Sequence, residues 1–211
     1  MLIKELSLAK TRVRTVPETV TLEEALELLE DYGYRCVPVV DETGKLYRGN
    51  IYRMHLYKHK SEGGDMSLPV THLLKNATKY VHTYSSFYNI FFMIKDLPYI
   101  TVLDENNHFY GILTHSALIS LLEQSWNLKT GSYVLTIAVS GDKGDLANVS
   151  KIINRYSSIM STMTLDSEQD SIHRLIMTLE PEATASDVEK ISEQLDRRGY
   201  RVIQVEDLKN H

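Results

Sequence analysis

The stretch FYGILTHSALISLL, residues 109–122, begins as strand-like sequence and ends as helix-like sequence, with Thr114, His115 and Ser116 at the join. Where a strand gives way to a helix, free backbone N–H groups and a hydroxyl can meet a ribose or a phosphate, and the same threonine can equally cap the helix. These residues alone leave both roles open. His55 and His59 stand four apart on a predicted helix, a spacing that suits a metal ion, but no glutamate completes an HExxH pattern and the segment runs on into HKSEGGD. No metal site is expected there. Cys36 lies inside an apolar run without a local histidine, so it reads as a small core residue rather than a nucleophile. DKGD, residues 142–145, has no Ser or Thr after its lysine and does not make a phosphate loop. With no paired carboxylates, triad or metal cluster at workable spacing, no catalytic residue and no enzymatic activity are expected.

Composition narrows the classes further. The 211 residues are 43% hydrophobic and 24% charged, ordinary for a water-soluble chain with a packed core. A formal charge of −5, from 28 acidic against 23 basic residues, lacks the basic excess that drives nucleic-acid binding. One cysteine excludes an internal disulfide and a cysteine-built zinc site, and fits a reducing, cytoplasmic compartment. The first sixteen residues contain no long apolar stretch, and FYNIFFMI, residues 87–94, is too short to span a bilayer. Neither a nucleic acid nor a membrane is expected as a partner.

The elements that must position the join are duplicated. CVPVVDETGKLYRGNIYRMHLY (36–57) parallels YITVLDENNHFYGILTHSALI (99–119), with Asp104 standing 63 residues after Asp41. Upstream, TVPETVTLEEALELLEDYGY (15–34) parallels YVHTYSSFYNIFFMIKDLPY (80–99). Each copy predicts a short extended segment, a helix, a two-stranded hairpin and a second helix. In the first copy Thr21 and Glu24 form a capping box, Leu22, Ala25, Leu26, Leu28 and Leu29 give an apolar face, and Gly33 ends the helix. RCVPVV then predicts a buried strand, DETGK the turn, LYRGNI the return strand, and HKSEGGD a polar linker to the second copy. Phe87, Tyr88, Phe91 and Phe92 have helical spacing and are expected in the core or in a dimer contact.

These residues resemble the tandem cystathionine-β-synthase (CBS) repeats, the Bateman module, over about three fifths of the chain. In that family the strand-to-helix join carries a glycine, two apolar residues, a Ser or Thr and, three positions on, an aspartate that holds a ribose. Gly111-Ile112-Leu113-Thr114 match, and Ala117 replaces the aspartate; in the first copy Gly49 matches, while Tyr52 and His55 replace the threonine and aspartate. The chain further resembles the cyclic di-AMP-binding CBS proteins of Gram-positive bacteria, which share the Gly-Tyr before the buried strand, here Gly33-Tyr34-Arg35-Cys36-Val37-Pro38-Val39. That resemblance implies a ligand between Arg12 to Val16, Arg35 to Pro38 and Ile112 to His115. Arg12, Arg14, Arg35 and His115 would meet the phosphates, and Val13, Val16, Tyr34, Val37 and Ile112 would line the adenine slots. Cys36, Pro38, Leu113 and Thr114 complete the implied site. The alternative ligand in such modules is AMP, ADP or ATP.

The last third has a different order. GSYVLTIAVSGDKGDLANVSKIINRYSSIMSTMTL (131–165) predicts strand, loop, helix and strand, IHRLIMTLE (172–180) a strand, SDVEKISEQLDRRGY (186–200) a helix and RVIQVED (201–207) a final strand. This is the βαββαβ ferredoxin-like order, with Ser186 and Glu189 as the second helix's capping pair and Gly199 closing it. Gly144-Asp145-Leu146-Ala147 resembles the loop-to-helix turn of ACT domains, which bind amino acids or dimerise, and the order CBS–CBS–ACT resembles the acetoin-utilisation regulatory proteins. The fold class expected is α+β, with CBS repeats at 1–62 and 63–126 forming a Bateman module and an ACT-like domain at 131–211. By these resemblances the chain is a cytoplasmic homodimeric sensor that binds cyclic di-AMP and signals to an unidentified protein target. The remaining alternative is an ACT-centred amino-acid sensor or dimerisation scaffold whose CBS pair is silent.

Overall fold

The computed structural model describes residues 3–166 and 173–210. The expected chain-terminal boundaries at Met1 and His211 and the expected strand start at Ile172 lie outside the described residues. Helix α1 (Ile3–Leu6) and strand β1 (Leu8–Ala9) come before the first repeat, which runs β2 (Val16–Pro17), α2 (Leu22–Asp31), β3 (Cys36–Val40), β4 (Tyr47–Tyr52) and α3 (Arg53–Ser61). The second repeat follows the same order: β5 (Tyr80–His82), α4 (Phe87–Ile94), β6 (Tyr99–Leu103), β7 (Phe109–Thr114) and α5 (His115–Ser125). The chain divides into two units, residues 1–118 and 119–211.

Local chemistry explains the elements of the first unit. Thr21 caps α2 through the expected box: its hydroxyl accepts from the Glu24 N–H at 3.2 Å, and its own N–H donates to the Glu24 carboxylate at 2.7 Å. Leu22, Ala25, Leu26 and Leu29 are buried, and Gly33 leaves the helix at φ +67°. In both repeats the short first strand pairs in parallel with the next, which pairs antiparallel with the third. β1 departs from the repeat pattern by joining the other sheet. It pairs antiparallel with β7, Leu8 opposite Ile112 and Ala9 opposite Gly111, giving sheet orders β1-β7-β6-β5 and β2-β3-β4. Ile3 follows it into the second repeat's core beside Ile90, Ile100 and Leu113. The two repeats share a third cluster, in which Val40, Tyr99, Phe109 and Ile112 pack with Leu8, Val13, Cys36 and Tyr47.

On α4 the buried positions are Ile90 and Ile94, four apart, and Phe87 packs partly against the same core. Tyr88 and Phe92, 74% and 84% exposed, therefore face outward, and neither is a core residue.

The second unit contains β8 (Tyr133–Val139), α6 (Asp145–Ile153), β9 (Ile159–Asp166), β10 (His173–Leu179), α7 (Ala185–Asp196) and β11 (Arg201–Asp207). All neighbours in its sheet are antiparallel, in the order β11-β8-β10-β9, which is the ferredoxin-like βαββαβ arrangement. One cap differs from expectation. Thr184, not Ser186, caps α7: its extended backbone leaves its hydroxyl to accept from the Asp187 N–H at 3.3 Å, while Ser186 already lies in the first turn. Gly199, at φ +83°, turns the chain out of α7 as expected.

Candidate functional site

A cavity of about 250 Å³ opens in the first unit where both repeats meet the N-terminal segment. The chain before β2 supplies Arg12, Val13 and Arg14; the entry and first half of β3 supply Tyr34, Cys36, Val37 and Pro38; β7 supplies Ile112 and Thr114. The sequence reading named all of these positions. Leu8 and Tyr99 complete the lining and were not named.

Four expected residues are placed elsewhere. Val16 is fully buried in the first repeat's core, and Leu113 is fully buried in the second repeat's core. Strand alternation explains Leu113, because successive side chains leave opposite faces and only Ile112 and Thr114 turn toward the cavity. Arg35 lines an adjoining cavity of about 440 Å³ with Tyr52, Arg53, Met54, Tyr57 and Pro98, and Cys36 borders both. His115 holds its ring Nε2 3.0 Å from the Ile94 carbonyl, so that nitrogen donates to the end of α4.

The cavity is cationic at its mouth and neutral on its walls. Arg12 and Arg14 are exposed, and neither forms an ion pair with a carboxylate among the described residues. The Arg14 guanidinium lies 5.4 Å from the centre of the Tyr32 ring, which holds it without neutralising it. Inside, the Tyr99 hydroxyl donates to Asn50 Oδ1 at 2.9 Å and stands 3.5 Å from Cys36 Sγ, leaving the thiol as donor to the phenol oxygen. Burial pushes the Cys36 thiol up to about 11, against the opposing effect of the Tyr99 and Tyr52 hydroxyls. The wall is thus an uncharged thiol beside an uncharged phenol, suited to a flat apolar group.

Thr114 takes both of its possible positions at once. Its hydroxyl accepts from the Ala117 N–H at 3.2 Å, capping α5, while the residue also lines the cavity. A hydroxyl that accepts from a helix keeps its own hydrogen to donate, so capping leaves Thr114 able to meet a ligand oxygen. Tyr99 had a signal in the sequence: it is the repeat partner of Cys36, 63 residues on, and the two equivalent positions meet at this wall. Leu8 had none, since β1 crosses to the other repeat.

Among the described residues no three His, Cys, Asp or Glu side chains gather as a group that could hold a metal ion, at His55 and His59 or elsewhere. His59 packs instead near His72, with ring centres 5.9 Å apart. No helix among the described residues is long and apolar enough to cross a membrane.

The CBS domain family model matches residues 3–62. These residues form a CBS domain. The second repeat has the same order of elements, so the cavity lies between this CBS domain and a repeat built on the same plan. Among solved structures, CbpB in complex with c-di-AMP matches with a TM-score of 0.54 and 19% identity, covering 59% of this chain and 85% of that one. CbpB from Streptococcus agalactiae gives 0.52 and 19%, covering 58% and 80%. A CBS domain-containing protein of unknown function from Bacillus anthracis gives 0.52 and 27%, covering 59% and 94%. No curated protein matches the chain significantly.

Proposed function

We propose that this chain is a nucleotide-responsive regulatory protein whose CBS pair binds cyclic di-AMP. The observation that carries this reading is the pairing of two arginines, free of carboxylate partners among the described residues, with a neutral, largely apolar cavity between the repeats. A cyclic dinucleotide needs charge-assisted donors for its phosphates and apolar slots for its adenines, and Arg12 and Arg14 stand beside Val13, Val37 and Ile112. A solved neighbour of similar fold was crystallised with c-di-AMP, which supports the choice of ligand. Bound there, the nucleotide would tie the segment before β2 to β7 and so stabilise one arrangement of the repeats for a protein target. We also propose that the protein is a homodimer, with the uncharged aromatic face of α4 as the contact.

Isothermal titration of the full chain with cyclic di-AMP, AMP and ATP tests the ligand. Cyclic di-AMP is expected to bind, and Arg12→Ala with Arg14→Ala to weaken it by roughly 10- to 100-fold, since a hydrogen bond to a charged group contributes about 1.5–3 kcal/mol. Arg35→Ala, whose exposed side chain lines the adjoining cavity and not this one, is expected to leave the affinity within about 3-fold, as a surface change of about 0.5 kcal/mol would. Binding of AMP or ATP without cyclic di-AMP, lost on Arg12→Ala with Arg14→Ala, would replace the reading with an energy-sensing one. Thermal shifts with amino acids and none with nucleotides would move the function to the C-terminal domain.

A further inference from the structure

The C-terminal unit has a second concavity of about 270 Å³, lined by Asn148, Lys151, Ile152, Arg155, Arg198 and Tyr200. Asn148 and Lys151 lie on one face of α6, Arg155 continues that face just past the helix end, and Arg198 comes from the turn that Gly199 makes after α7. Two separate elements therefore bring three cations to one hollow. None of the three forms an ion pair with a carboxylate among the described residues, whereas the adjacent Arg197 pairs with Glu193 at 3.6 Å.

This is an unfavourable arrangement without a counterion. Lys151, Arg155 and Arg198 bring three like charges to the same hollow, and like charges repel one another. The chain has 28 acidic residues against 23 basic ones, yet places no carboxylate in this lining. The nearest one along the hydrogen-bond chain is Asp145, and its charge is already engaged. It accepts from Tyr200 OH at 3.1 Å, Ser140 OH at 3.1 Å and the N–H groups of Gly141 and Asp142 at 3.0 Å. Burial pushes the Asp145 carboxyl up, and these donors outweigh that and hold it below its ordinary value. The Asn148 amide donates to Tyr200 OH at 3.3 Å, which fixes the neutral side of the hollow, and buried Ile152 forms an apolar floor.

We propose that this hollow is a binding site for a phosphate-bearing small molecule, distinct from the cavity between the CBS repeats. Two guanidinium forks and one ammonium offer more donors than a single carboxylate can accept, whereas a phosphate dianion presents three oxygens to them. The hollow holds a phosphorylated metabolite of ordinary size rather than an extended polymer. A nucleoside phosphate and a sugar phosphate share the recognised group, and the apolar floor would face the rest of either.

The test is titration of the full chain with pyrophosphate at low ionic strength, followed by AMP, glucose 6-phosphate and malonate. Arg155→Ala with Arg198→Ala is expected to weaken pyrophosphate binding at least 10-fold, while Arg12→Ala with Arg14→Ala leaves that binding unchanged. An unchanged circular-dichroism melt of the first double variant establishes that the fold survives. If it does not, Lys151→Gln with Arg155→Gln provides the same comparison. Tighter binding of AMP or of glucose 6-phosphate identifies the carrier and supports the site in either case. Absence of pyrophosphate binding, loss of it only on substitution of Arg12 and Arg14, or preference for malonate would overturn the proposal. AMP is a probe in both experiments, so the variant that abolishes its binding assigns it to one site or the other, and because pyrophosphate and the substituted residues differ from those of the cyclic di-AMP experiment, either reading can fail without the other.

Discussion

Asp41 and Asp104 occupy equivalent turns of the two repeats and make equivalent bonds. The Asp41 carboxylate accepts from the Thr43 hydroxyl and the N–H groups of Lys45 and Leu46 at 2.7–2.8 Å, and Asp104 accepts from the N–H groups of Asn106 and His108 at 2.8 Å. Each carboxylate thus holds the hairpin that sets one strand against the next. The Leu46 N–H, then the Thr43 hydroxyl, lower Asp41 from 3.8 to about 2. A carboxyl whose folded pKa is depressed contributes stability that is complete above its unfolded pKa and lost as pH falls through the folded one. The window for Asp41 therefore runs from about 3.8 down to about 2. Asp41→Asn keeps one acceptor oxygen but cannot titrate, so its urea midpoint is expected to fall less steeply than the natural protein's across that window. Identical acid limbs, measured by urea unfolding at pH 2 to 7, would show that the turn does not depend on the charge.

At the scale of elements, β1 decides how the N-terminal segment reaches the cavity. It runs so close to β7 that a Cβ at Gly111 would collide with the Leu8 carbonyl, which explains why the join carries a glycine there. Gly111→Ala should push β1 away from β7 and loosen buried Ile3, costing about 1–3 kcal/mol as overpacking does. Chemical denaturation would read this as a lower midpoint at unchanged slope; an unaltered midpoint would mean that β1 contributes nothing to the sheet. This strand also marks where sequence reasoning ran out. Helices and hairpins were legible because each carried several agreeing signals, such as the Thr21–Glu24 box, the buried face of α2 and the duplicated turn aspartates. Two residues of β1 carry no period and no cap, so nothing assigned them to the other repeat. The same limit applies to the cap of α7, where Thr184 and Ser186 are both suitable types and only backbone geometry separates them. In the cavity, the contributing segments were legible from the repeat, whereas the period of two along β7 turns Leu113 to the opposite face from Ile112 and Thr114, and Val16 enters the first repeat's core as its strand β2 pairs with β3.

At the scale of the whole molecule, the face of α4 argues for self-association. FYNIFFMI contains no charged residue, and with Ile90 and Ile94 turned inward it leaves Tyr88 and Phe92 in solvent, with Phe91 partly so at 38%. Soluble proteins keep contiguous apolar patches small, and an uncharged aromatic helix is best covered by another apolar surface. A second copy supplies one by symmetry, and the chain's net charge of −5 opposes that contact least where the face itself is neutral. In such an isologous contact each substitution is felt twice. Burying a phenylalanine contributes about 1.5–3 kcal/mol, so Phe92→Glu should cost at least about 3 kcal/mol of dimer stability, more than a 100-fold rise in the dissociation constant. Sedimentation velocity at micromolar concentration should then show a dimer for the natural chain and a monomer for the variant. The same exchange at Tyr57, exposed on α3, should leave the dimer intact if α4 is the contact. A natural chain that sediments as a monomer would remove the homodimer from the proposed function, and a dimer that survives Phe92→Glu would place its contact on another face.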